Sequence, residues 1–121
     1  MPQKARIDLV LDCANPADLV EFWRAALGYR VYYADDGFAV LVPEEGNDSP
    51  LVLQRVPEPK SVKNRMHIDL VVDDVEAEAT RLEALGAQRT HDAPRSLGAT
   101  EWITLLDPEQ NEFCVCTGVE W

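Results

Sequence analysis

Basic side chains are scarce in this chain: 11 Lys and Arg stand against 22 Asp and Glu, a formal net charge of −11 over 121 residues. A nucleic-acid binder needs a basic face to meet phosphates, so that class is excluded as a partner. An anionic membrane surface would repel the same charge. Long apolar runs are missing too, and nothing approaches the roughly 20 residues that cross a bilayer. The opening MPQKARIDLV meets Asp12 before a signal-peptide core can form, so a cytoplasmic location is expected. Cysteine is limited to Cys13, Cys114 and Cys116, an odd number. The C-x-C spacing of the last two is not the C-x-x-C of a zinc ribbon or redox turn, and reduced thiols are the simplest reading. What is present is 46% hydrophobic residues recurring at regular intervals, enough for one folded domain over 1–121 without disulfide staples.

The intervals describe a repeat. In IDLVLDC (7–13), Ile7, Leu9 and Leu11 share one face and Asp8, Val10 and Asp12 the other, the alternation of a half-buried strand. A helix follows, with Asn15 as N-cap, Pro16 at its first position and Asp18 in its first turn. Leu19, Phe22, Trp23, Ala26 and Leu27 form its apolar stripe, and Gly28 occupies the left-handed C-terminal cap. MHIDLVV (66–72) starts the pattern again, with Met66, Ile68, Leu70 and Val72 on one face. Asp73 or Asp74 caps a helix that turns Val75, Ala79, Leu82 and Leu85 inward and stops at Gly86. Strand-like segments follow each helix: YRVYYA (29–34), FAVLV (38–42) and LVLQRV (51–56), then a weaker AQRTH (87–91), EWITLL (101–106) and EFCVC (112–116). The join PEPKSVKN (57–64) reads as a short polar linker.

The chain therefore reads as βαβββ twice, with modules at 1–56 and 65–118. The fold class is α+β: two modules making one eight-stranded mixed sheet, helices on its convex face. The face opposite the helices carries Asp8, Asp12, Arg65, His67 and Asp69, too polar for a dry core. It is either open, solvent-facing sheet or the lining of a cup-shaped pocket.

These residues carry a resemblance. A polar residue opening the first strand and a helix ending FWRAALGYRV are similar to the vicinal oxygen chelate superfamily, which includes glyoxalase I, bleomycin-resistance proteins and extradiol dioxygenases. RMHIDLVVDDVEAEATRLEALGAQ and LLDPEQNEFCV resemble the second module of that superfamily, with its His-led strand, Leu-Gly-Ala helix end and Asp-Pro-x-Gly-Asn turn. LVLQRVPEPKSVKNRMHIDL resembles the glyoxalase-like branch common in actinobacteria. The resemblance implies modules paired within one chain or swapped between two, a homodimer, and a small-molecule ligand or substrate. It also implies metal-ligand positions that fall on Asp8, Gln54, His67 and Cys114, where family members carry His or Gln, Glu, His and Glu. Only His67 keeps the expected type. Gln110 stands where the turn expects Gly. Hard oxygen donors, a neutral amide, an imidazole and a thiol suit no common metal well, so no metal cofactor is favoured, though a divalent ion remains possible.

Read residue by residue, His67 is the sharpest candidate: a metal ligand, a general base or a hydrogen-bond donor to a ligand, against a histidine satisfying nearby carboxylates. The resemblance places Asp8 beside it, so the two form the candidate catalytic acid–base pair. Arg65 is a clamp for an anion or the ion-pair partner of Asp69 or Asp12. Cys114 and Cys116 share a face and read better as small apolar lining than as reactive thiols. Trp102 and Thr104 face the cup if Ile103 and Leu105 face the helices, and an aromatic wall suits a planar or apolar ligand. Phe22 and Trp23 are core. His91, in RTHDAPRSLGA, reads as a solvated loop histidine, and that loop as a lid over the cup. The candidate pocket is thus Asp8, Asp12, Gln54, Arg65, His67, Asp69, Trp102, Thr104 and Cys114. Two functions follow: a metal-independent small-molecule binder, or a lyase- or isomerase-type enzyme using a metal or the His67–Asp8 pair.

Overall fold

The computed structural model describes residues 7–64 and 66–118. The chain divides into two compact units, Met1–Pro59 and Lys60–Trp121. The described residues form two helices and nine strands.

In the first unit, β1 (Leu9–Cys13) leads into α1 (Pro16–Leu27), then β2 (Tyr29–Ala34), β3 (Phe38–Pro43) and β4 (Leu51–Arg55). The sheet order is β1-β4-β3-β2, with β1 parallel to β4 and the other pairs antiparallel. The Asn15 side chain accepts from Ala17 N at 3.3 Å, and Gly28 closes α1 in the left-handed region at φ 68°. The stripe Leu19, Phe22, Trp23 and Ala26 packs inward with Leu41, Leu51 and Leu53 of the sheet, all buried. Phe22 and Trp23 meet edge-to-face with centroids 5.2 Å apart. Burying such side chains contributes about 1.5–3 kcal/mol each, which makes this layer the main source of the unit's stability. β1 is two residues shorter than the alternation from Ile7 predicts. Its ladder partner β4 begins only at Leu51, where Leu9 N donates to the Pro50 carbonyl, so Ile7 stays exposed.

The second unit runs β5 (Asp69–Val71), α2 (Val75–Leu85), β6 (Gln88–Arg89), β7 (Arg95–Leu97), β8 (Thr100–Leu106) and β9 (Glu112–Cys116). β5 lies parallel to β9, β9 antiparallel to β8, and both β6 and β7 pair with β8. Asp74 is the N-cap of α2, accepting from Ala77 N at 3.0 Å. Val75, Ala79 and Leu82 are buried with Ile103, Leu105, Phe113 and Val115. Leu85 departs from the expected inward stripe and is exposed; after the Gly86 turn the buried position goes to Ala87. Met66 departs as well, 84% exposed, because the β5·β9 register starts only at Asp69, with the Ile68 carbonyl accepting from Cys114 N.

This unit has one strand more than the repeat predicts. The segment read as a solvated lid contains β7, which makes a hairpin with the start of β8 across Gly98, held at φ 62°. Between β6 and β7 the main chain leaves the sheet, and a side chain takes its place. His91 Nε2 accepts from Thr104 N at 3.1 Å, while Nδ1 lies 2.8 Å from the Ala93 carbonyl. Those two partners require the Nδ1–H tautomer, since Nε2 must offer its lone pair. His91 is therefore a half-buried structural residue, not the solvated loop histidine expected.

The Asp107–Asn111 turn between β8 and β9 is knotted around a buried carboxylate. Asp107 Oδ1 accepts from Glu109 N at 2.8 Å and Asn111 N at 3.0 Å, and Oδ2 from Asn111 Nδ2 at 2.9 Å. Gln110 takes φ 72° there, a conformation that glycine adopts without cost.

Candidate functional site

On the second sheet, the face opposite α2 forms the wall of a cavity of about 530 Å³. Strand alternation decides which side chains reach it. On β8, Ile103 and Leu105 turn toward α2, so Thr100, Trp102 and Thr104 turn to the cavity. On β9, Phe113 and Val115 are core, so Glu112, Cys114 and Cys116 line the cavity. β5 contributes Asp69 and Val71, with His67 two residues earlier on the same side, and β7 contributes Arg95. Lys63 comes from the linker.

The polar groups are concentrated at one place. His67 Nε2 lies 3.1 Å from Asp69 Oδ1, both side chains being about half exposed. Asp69 stands directly across the β5·β9 ladder from Cys114. One ligand atom each from His67, Asp69 and Cys114 all fall within 4.8 Å of one another. Thr104 Oγ1 is 3.4 Å from Cys114 Sγ. Burial pushes the Cys114 and Cys116 thiols above their ordinary value, and the Asp69 charge adds to the shift. At neutral pH they are protonated lining groups, as the acidic composition suggests.

A second anchor holds the linker to the cavity rim. Glu112 takes Lys60 Nζ at 3.2 Å and Asn64 N at 2.9 Å, while Asn64 Nδ2 donates to the Glu112 carbonyl at 3.3 Å. Burial alone would raise the Glu112 carboxyl. The Asn64 amide, its own amide and Lys60 outweigh that and hold it below the usual carboxylate range.

Of the candidate residues, His67, Asp69, Trp102, Thr104 and Cys114 come together at this cavity. Asp12 and Gln54 are neighbours in the first unit, facing each other in the β1·β4 register, and Asp8 precedes β1 there. Within the second unit the carboxylate beside His67 is Asp69. Arg65 lies outside the described residues. The sequence reading left out Lys63, Arg95 and Glu112. Arg95 sat in a presumed loop, and no local pattern ties Lys63 or Glu112 to a pocket. Cys116 had a usable signal in its shared face with Cys114.

A hard divalent ion sets demands on its donors. Such an ion prefers oxygen and nitrogen ligands. Position 114 supplies a buried, protonated thiol where the superfamily has a carboxylate. Within the second unit His67 suits such an ion and the Cys114 thiol does not.

Two such strand–helix–strand units, each with a parallel pair closed by its helix, are the architecture of the vicinal oxygen chelate superfamily. The chain belongs to the glyoxalase-like domain family, whose model matches residues 8–116. Among solved structures it is similar to the fosfomycin resistance protein FosX from Mesorhizobium loti, at 17% identity and TM-score 0.74, covering 98% of this chain and 95% of that one. FosX from Listeria monocytogenes, in a structure complexed with Mn(II) and sulfate ion, matches at 14% identity and TM-score 0.78, covering 98% and 93%. A bleomycin resistance determinant encoded on transposon Tn5 matches at 18% identity and TM-score 0.69, covering 97% and 100%. At these identities the likeness is one of fold. No curated protein matches the chain.

Proposed function

We propose that the protein binds a small organic molecule against the open face of the second sheet, and that binding requires no hard divalent ion. The observation that carries this reading is the cavity of about 530 Å³ with Trp102 on its wall. Ligand sites typically span about 300–1,000 Å³ and combine apolar walls with a few polar groups. Trp102, Val71 and the two protonated thiols supply the apolar part, and Arg95, Lys63 and the His67–Asp69 pair supply orientation. A planar or apolar body flat against the indole, with an anionic or hydrogen-bonding edge toward Arg95 or His67, fits that wall. Relatives named as fosfomycin and bleomycin resistance proteins support small-molecule handling on this fold. Cys13, Cys114 and Cys116 are buried as thiols, which supports the expected cytoplasmic setting.

The test is a thermal-shift screen of small organic molecules with chelator present. Ligands are expected to raise Tm in a concentration-dependent way, by about 2.7 kcal/mol of added stability at 100 times Kd. Trp102→Ala should weaken them at least tenfold. Binding that appears only when Mn(II) or Mg(II) is added would contradict the reading, and so would binding indifferent to Trp102→Ala.

One observation favours a second reading, a lyase- or isomerase-type enzyme. The 3.1 Å His67–Asp69 contact orients an imidazole in the cavity, as a general base requires. On that reading His67→Ala abolishes turnover of a molecule the protein still binds.

A further inference from the structure

His91 stands where the protonation of one ring reaches the cavity wall. We propose that His91 is a positioning residue: its neutral ring holds the β7 hairpin, and with it Arg95, at the cavity, and protonation releases them. Arg95 matters to a ligand only if this cavity takes one, so the consequence rests on that reading. The release itself is measured without a ligand, and either can fail alone.

The gap that His91 fills has a cause in the sequence. Arg89 pairs with Leu105 and Arg95 with Trp102, so residues 89–95 face only residues 102–105 of β8. The surplus chain leaves the sheet. Pro94 has no N–H to give β8 and biases Ala93 toward extended backbone. Thr104, inside the gap, still needs partners for both of its main-chain groups. Its carbonyl takes Thr90 N and Thr90 Oγ1, each at 3.0 Å. Its N–H goes to the His91 ring, with Nε2 at 3.1 Å. The other ring nitrogen lies 2.8 Å from the Ala93 carbonyl, two residues before β7. One imidazole therefore joins β8 to the approach of β7.

The proton count decides the response. In the neutral ring Nδ1–H donates to Ala93 and Nε2 accepts from Thr104. A protonated ring carries N–H at both nitrogens, so Nε2–H meets the Thr104 N–H and that bond is lost. The ionisable groups on the framing elements are Asp92 beside the ring, Arg89 of β6, Arg95 of β7, Glu101 of β8 and, beyond Thr104, the Cys114 thiol of β9. Glu76 and Glu83 of α2 face this edge too, but they hold Arg89. Among the described residues no carboxylate is hydrogen-bonded to the ring, so nothing there repays the lost contact. The sign follows: the neutral form is the bound one, so the contact is present at neutral pH and lost in acid.

One hydrogen bond matters here because little else holds β7. Its three residues are all exposed, and among the described residues its ladder partner is β8. Segments held so lightly open at low cost. With the ring released, the chain entering β7 is freed and Arg95 leaves its place opposite Trp102. The cavity then loses a cation, and its hold on an anionic edge weakens.

The test is amide hydrogen exchange by NMR on isotope-labelled full-length protein, from about pH 8 to about pH 5. Rates are corrected for the intrinsic effect of pH, and the His91 ring nitrogens report its protonation. Protection of the Thr104 amide and of the β7 amides paired to β8 is expected to fall about tenfold as the ring protonates, the equivalent of one hydrogen bond. Val115, in the core of β9, should keep its protection. The His67→Gln background removes the other cavity histidine from the titration and should leave the effect intact. His91→Asn offers a carbonyl oxygen to Thr104 N and should hold protection at both ends of the range. His91→Phe should lack it already at about pH 8. Protection independent of pH in the wild-type protein would overturn the proposal. So would a pH response that persists in His91→Asn, or full protection in folded His91→Phe.

Discussion

Gln110 shows how a single residue departs from its surroundings without breaking them. The turn after β8 needs a left-handed residue, and Gln110 supplies it at φ 72°. A non-glycine residue in that region costs about 1–2 kcal/mol. The Asp107 carboxylate, holding three donors from Glu109 and Asn111, over-determines the turn and keeps the strained residue in place. Gln110→Gly is therefore expected to stabilise the protein by about 0.5–1 kcal/mol, the relief of strain less the larger backbone entropy of glycine. Chemical denaturation with unchanged m-value measures it; a destabilised variant would show that the Gln110 side chain contributes more than its backbone costs. His91 is a second residue whose role only the structure reveals. Its histidine identity says nothing of the broken strand in which its ring replaces a main-chain acceptor for Thr104.

Among the elements, β9 does the most to build the cavity. Its inner residues are core and its outer ones wall, and its first residue, Glu112, ties the 60–64 linker to the rim. Because hydrogen bonds hold this carboxyl below its ordinary range in the folded state, its stabilising contribution is present at neutral pH. It is lost as pH falls through the depressed folded value. Glu112→Gln should cost about 1–2 kcal/mol near pH 7, and the gap to wild type should close as both are acidified below the carboxylate range. Melting curves across pH check this; a pH-independent gap would mean that the charge of Glu112 is irrelevant to the clamp. The thiols of the same strand carry the opposite sign. Raised in the folded state, they contribute stability below the ordinary thiol range that fades as pH rises toward their folded values.

Much of the whole molecule was legible in the sequence because hydrophobic periodicity and helix caps are local. Asn15, Gly28 and Gly86 bound their helices as read, Asp74 is the cap of the two aspartates offered, and alternation put Trp102 with Thr104 and Cys114 with Cys116 on their strands' faces. Strand ends were less legible, because they depend on where the ladder partner stops. That is why β1 begins at Leu9 and β5 at Asp69. The cavity was half legible. Facing direction follows from alternation, but Arg95, Lys63 and Glu112 reach it through a hairpin and a linker that no periodicity describes. The closeness of Asp69 to Cys114 is a register fact, set by which residues of two distant segments pair.

Whether this cavity is the ligand-binding surface can be read by backbone and indole NMR. The tightest molecule from the chelator-treated screen is titrated into isotope-labelled protein. Saturable shifts are expected, centred on the Trp102 indole N–H and on the amides of Thr104, Cys114 and Cys116, in the absence of any divalent ion. Saturable shifts confined to other surfaces, with Trp102 and Cys114 unmoved, would contradict that expectation.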